Sequence, residues 1–178
     1  MSSNNPLRQY FRQPAIYIDL PSKGQFYPQG TIDMPETGKL AVYPMTAIDE
    51  ITYRTPDALF NGSAVTNVIQ SCVPNIKNAW MMPSIDIDTL LIAIRIASYG
   101  NQMDFSSTCP ACNESNEYAI SLGAVLENIS VPNYTPKFEV ADLKIKLHPQ
   151  KYSNLNKSNL INFEEQQILR TLGAADDM

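Results

Sequence analysis

The sequence predicts an α+β fold in a single domain, with a central apolar helix, short antiparallel strands and hairpins, and a C-terminal helix. Three observations predict it. Residues 84–99 carry apolar side chains at helical spacing around most of the circumference, and several short runs alternate apolar with polar residues at the period of a strand. The chain's 13 prolines, spread from Pro6 to Pro149, divide it into short elements, because each fixes its own φ and biases the preceding residue away from helix. A length of 178 residues suits one domain, and 44% apolar with 17% charged residues is a globular composition.

Residues 1–14 are polar and proline-flanked, with Tyr10 and Phe11 as bulky anchors, and are expected to form an arm that orders on finding a surface. Residues 15–173 are read as the domain, including a hairpin at 102–122, and the acidic tail 174–178 is expected to fray. Within the domain, Ile16, Ile18 and Leu20 alternate with Tyr17 and Asp19 as a strand with one exposed face, and Leu40 and Val42 mark a second. The connection at residues 21–30 is dense in turn formers yet holds Phe26 and Tyr27. These aromatics either fold back as a lid on the core or meet a partner.

From Thr46 the pattern is helical. Thr46 with Asp49 resembles a capping box, and Ile48, Ile51 and Thr52 share one side of the helix that follows. Pro56 interrupts it, residues 57–60 allow another turn, and Ser63 is the expected N-cap of a helix through Cys72 with Val65, Val68, Ile69 and Cys72 on one face. In the central helix Ser84 is the expected cap, Asp86 and Asp88 sit where the helix dipole favours anions, and Gly100 with Asn101 terminates it. Its apolar face is Ile87, Leu90, Leu91, Ile94 and Ala97, with Ile92 and Ile96 adding a second. Arg95 lies on the side of Asp88, Ile92 and Tyr99, placed either to pair within the fold or to reach a partner.

Residues 102–122 read as a hairpin turning at Cys109, Pro110, Ala111, Cys112 and Asn113, followed by a short helix at 123–129. Phe138, Val140, Leu143, Ile145 and Leu147 predict another strand pair, and residues 158–172 a helix with apolar Leu160, Ile161, Ile168, Leu169 and Leu172.

The net charge of −5 comes from 18 acidic and 13 basic residues, and Lys and Arg form no stripe able to neutralise several phosphates. Nucleic acid is therefore not expected as the main partner. The start lacks a basic region followed by an apolar run, and the apolar stretch 90–97 is short and broken by Arg95, so neither a secretory signal nor a membrane span is expected and the protein reads as cytosolic.

Three cysteines, an odd number, form no disulfide framework. Cys109-Pro110-Ala111-Cys112 is the chemically specific motif: two thiolates separated by two residues can share one tetrahedral zinc, and Asn113 tolerates the left-handed conformation that often follows. A complete site needs four ligands. The remaining candidates in the chain are Cys72, which also fits a buried helix face, and His148, the single histidine. Two chains pairing their hairpins are a second route to four thiolates. A redox role requires the pair at a helix start, and no helical pattern follows it. With no phosphate-binding glycine loop, no nucleophile elbow and a lone histidine, catalysis is not expected.

Several segments read together resemble the baseplate hub assembly protein family of T-even-like bacteriophages. They are Ile18-Asp19-Leu20-Pro21-Ser22-Lys23-Gly24 with Phe26-Tyr27-Pro28; Thr55-Pro56-Asp57 with Leu59-Phe60-Asn61-Gly62; Val68-Ile69 with Cys72-Val73 and Asn75-Ile76; and Asp86-Ile87-Asp88 with Leu90-Leu91, Ile94-Arg95-Ile96-Ala97, Tyr99-Gly100, Cys109-Pro110 and Cys112. The resemblance implies a late viral protein of tail assembly, an assembly chaperone or hub subunit. It would act on other baseplate hub and tail proteins in the host cytoplasm, in the virion tail, or in both, with a homo-oligomer as a further expectation. Tyr10, Phe11, Phe26, Tyr27 and Arg95 are the candidate partner-binding residues, since aromatic and arginine side chains supply most binding energy at protein interfaces. The alternative is a zinc-hairpin adaptor that binds protein or nucleic acid.

Overall fold

The computed structural model describes residues 11–130, 133–134 and 137–176. It is a mixed α+β domain whose core lies in the first two thirds of the chain. Strand β1 (Ile16–Asp19) pairs antiparallel with β2 (Lys39–Val42), with Ile16 opposite Val42 and Asp19 opposite Lys39. The alternation works as expected: Ile18, Leu40 and Val42 are buried, and Tyr17 faces outward.

Helices α1 (Ala47–Arg54), α2 (Pro56–Phe60) and α3 (Ser63–Cys72) follow, then a short 3-10 turn (Ala79–Met81) and the central helix α4 (Ser84–Tyr99). Helix α4 touches β1, β2, α3, α5 (Leu122–Glu127) and α6 (Tyr152–Asp176), which explains why it is apolar on more than one side. Leu90, Ala93 and Ile94 of α4 close on Val68, Ile69 and Cys72 of α3 and on Leu40 and Val42 of β2 to form the core.

Two helix starts differ from expectation for tertiary reasons. Gly62, not Ser63, is the N-cap of α3; it adopts φ +77, and a Cβ there would stand 2.5 Å from Oδ1 of Asn156 on α6. Ser84 is the first residue of α4 and not its cap: Pro83 occupies that position, and the Ser84 N–H donates to the Gln150 carbonyl at 2.7 Å. The Tyr152 N–H donates to the Met82 carbonyl at 2.9 Å, so residues 150–152 are stapled across the start of α4. These bonds launch α6 at Tyr152, ahead of the expected Ser158, and α6 continues to Asp176; residues 177–178 of the expected tail lie outside the described residues.

Beyond α4 the chain makes two ribbons. Strand β3 (Gln102–Thr108) pairs with β4 (Ser115–Ser121), and β5 (Lys137–Val140) pairs with β6 (Leu143–Lys146), both antiparallel. Among the described residues the strands therefore form three separate two-stranded pairs and not one continuous sheet.

Candidate partner-binding surfaces

Residues 21–28 are fixed by one buried carboxylate. Asp86, fully buried in the first turn of α4, accepts the Ser22 N–H at 2.8 Å, the Ser22 hydroxyl at 2.5 Å and the Tyr27 hydroxyl at 2.9 Å. Burial raises the Asp86 carboxyl above its ordinary value against the opposing pull of these three bonds. Burial, then the Asp86 charge and hydrogen bond, push the Tyr27 hydroxyl far up as well. Tyr27 thus packs on the core as part of a lid, and its polar end is committed inside the molecule. Phe26, half-buried at φ +68, points the other way and meets the rings of Tyr134 at 5.5 Å and His148 at 5.8 Å.

Beside Phe26 lies a cleft of about 560 Å³ lined by Lys23, Tyr134, Lys137 and Lys146, and its described lining contains no carboxylate. Lys137 and Lys146 come together because they are cross-strand partners at the open end of the β5–β6 ribbon. The opposite face of that ribbon carries Phe138, Val140, Leu143 and Ile145, all exposed, Leu143 at 68%. Helix α6 packs through Tyr152 and Leu155, and then leaves Ile161, Phe163, Ile168 and Leu169 exposed, with Phe163 edge-on to Phe60 at 4.8 Å.

A third surface lies between α1 and α4. The Thr46–Asp49 capping box forms: the Thr46 N–H donates to Asp49 at 2.8 Å and the Asp49 N–H to the Thr46 hydroxyl at 3.3 Å. Arg12 donates to the Pro44 and Ser71 carbonyls and lies 3.6 Å from Asp49, so the end of the expected arm is tied to the domain. The capped helix turns Ile48 and Ile51, which the sequence places on one side, outward, 76% and 67% exposed. The adjoining groove of about 320 Å³ is lined by Met45, Tyr53, Leu91, Arg95 and Tyr99 among others. Arg95 stacks on Tyr99 at 4.5 Å, and its buried Nη1 has no hydrogen-bond partner.

The β3–β4 hairpin places Met103 opposite Ile120 and Phe105 opposite Tyr118, so these four apolar side chains share one face while Asp104, Ser106 and Glu117 share the other. The Phe105 and Tyr118 rings stack at 5.0 Å. At the tip, the Asn113 N–H donates to the Cys109 carbonyl at 2.8 Å, the Cys109 N–H donates to the Glu114 carbonyl at 2.9 Å, and Asn113 takes φ +56 as its residue type permits. The Cys109 sulfur accepts hydrogen bonds from the backbone N–H groups of Cys112 and Ala111 and from the Cys112 side chain, which hold its pKa below the ordinary thiol value.

Cys72 and His148 do not join this pair. Cys72 lies in the core under the Arg12 guanidinium, its pKa pushed up to about 11 by burial, and His148 is at the surface beside Phe26. No group of three or more His, Cys, Asp or Glu able to hold a metal gathers among the described residues. Phe11 is exposed, and Tyr10 lies outside the described residues. Asp86 as an anchor, Arg12 as a clamp and the three-lysine cleft carry no local sequence signal, because each depends on groups distant in the chain.

The fold and these surfaces define an α+β protein with a small core and amphipathic appendages whose apolar faces are largely exposed. A family model described as T4 bacteriophage base plate protein matches residues 28–173, and the chain belongs to that family. Membership implies contacts with other phage structural proteins and association with the virion. No curated protein and no solved structure matches the chain. Among the described residues no helix is long and apolar enough to cross a membrane.

Proposed function

We propose that this chain serves the hub of the baseplate, as an assembly chaperone or as a structural subunit, and acts through protein contacts without catalysing a reaction. The observation that carries this reading is the exposure of Phe138, Val140, Leu143 and Ile145 on one face of a ribbon that packs chiefly on itself. A two-stranded ribbon is marginal alone in water, and a contiguous apolar face is the usual mark of a surface awaiting a partner. Lys23, Lys137 and Lys146, on the other side of the ribbon, favour an acidic partner, whose charge steers approach while the apolar face supplies affinity.

The test is affinity purification of the tagged chain after co-expression with tail hub proteins. The wild type is expected to retain a hub protein, and Leu143→Ser with Phe138→Ser to weaken retention by about tenfold or more, the loss of at least one interface anchor. Equal retention by the variant, or recovery of no tail protein by the wild type, contradicts the reading. Mass spectrometry separates the two roles: a structural subunit is found in finished tails, and a chaperone on precursors alone.

A further inference from the structure

We propose that two copies of this chain join through their β3–β4 hairpins around one zinc ion held by Cys109 and Cys112 of each copy. A tetrahedral zinc knuckle needs two sulfurs aimed at one point and amide donors that offset the negative charge gathering on them. The tip has the tight turn such a knuckle needs: Pro110 and left-handed Asn113 bend the chain sharply, and the Asn113 N–H donates to the Cys109 carbonyl at 2.8 Å, closing the turn that carries both cysteines. The pair is also accessible, with Cys109 half-exposed and Cys112 exposed, unlike Cys72.

Two thiolates are half of a structural zinc site, and no third His, Cys, Asp or Glu stands with them among the described residues. A second molecule can supply the other half. The hairpin's own surface identifies that molecule as a second copy. Met103, Phe105, Tyr118 and Ile120 form an exposed apolar stripe leading along the same hairpin to the tip. Two such stripes laid face to face about a two-fold axis along the hairpin cover each other and bring the two tips to the same end. One operation therefore buries the stripe and completes the ligand set, as an isologous contact does. Each thiol gives up its proton as it binds, so four protons leave as the dication is taken up by four sulfurs.

This inference goes beyond the hub reading, and its test needs no other phage protein, so either can fail alone. The reduced full chain is stripped of metal, titrated with zinc or cobalt(II), and followed by analytical ultracentrifugation and, for cobalt, by absorption. Uptake is expected to stop at about half an ion per chain, with a tetrahedral thiolate cobalt spectrum and a shift of the sedimenting species from monomer to dimer. Cys112→Ser is expected to abolish all three signals while its far-ultraviolet circular dichroism stays that of the parent. Phe105→Lys, which leaves the sulfurs in place, is expected to raise the dimer dissociation constant at least about tenfold, one anchor's worth of contact. One ion per monomer with no change in mass, no uptake at all, or dimers equally tight in both variants overturns the proposal.

Discussion

Asp86 accepts hydrogen bonds from Ser22, 64 residues earlier, and from Tyr27, and so ties the turn-rich loop to the start of the central helix. Asp86→Ala leaves those donors buried without an acceptor, and urea denaturation is expected to show a loss of about 3 kcal/mol. A loss below about 0.5 kcal/mol, the range of ordinary surface substitutions, would contradict the anchoring role. Asp49 behaves oppositely to Asp86 with pH. Burial alone would raise its carboxyl, but bonds from Thr46 and Ser71 and the charge of Arg12 outweigh it and hold the group below the ordinary 3.8. Its contribution is therefore complete above that value and is lost as pH falls through the lower folded value, whereas the raised Asp86 contributes below 3.8 and loses its contribution as pH rises. Denaturation between about pH 5 and pH 2 should show Asp49→Asn losing less stability on acidification than the parent. The capping box was legible because its partners are three residues apart; the Asp86 anchor was not, because an aspartate in a helix's first turn looks the same whether solvated or buried.

The β3–β4 and β5–β6 ribbons were legible as strands from their alternation, and the tip from its cysteines, proline and asparagine. Their packing was not. Alternation says that one face is apolar and is silent on what covers it, so four apolar side chains on each ribbon are exposed in the single chain. The same holds for Ile48 and Ile51 of α1, whose polar capping residues bind inward to Ser71 and Arg12 and turn the isoleucines out. The energetic consequence is direct: Leu90→Ala, in the core, should cost about 2–5 kcal/mol, whereas Phe105→Ser should cost under about 1 kcal/mol, the worth of a cross-strand pair. Thermal unfolding of both variants measures the contrast, and equal losses would place the hairpin in the cooperative core.

At the scale of the whole molecule, the fold class followed from one strongly periodic helix, short alternating runs and spaced prolines, all of which survive in the structure. The launch of α6 did not, since it depends on backbone bonds between residues 150–152 and the start of α4. The resulting architecture is a core built by residues 16–94 with Tyr152, from which two ribbons and most of α6 extend with apolar faces exposed, in a chain of the phage base plate family. Such an architecture is expected to finish burying its apolar surface in the assembly. Amide hydrogen exchange on the free chain and on the chain bound to hub proteins tests this most directly. Strong protection gained in residues 137–146 and 160–170, with little change in α3 and α4, is the expected result; unchanged exchange in both appendages would contradict the account.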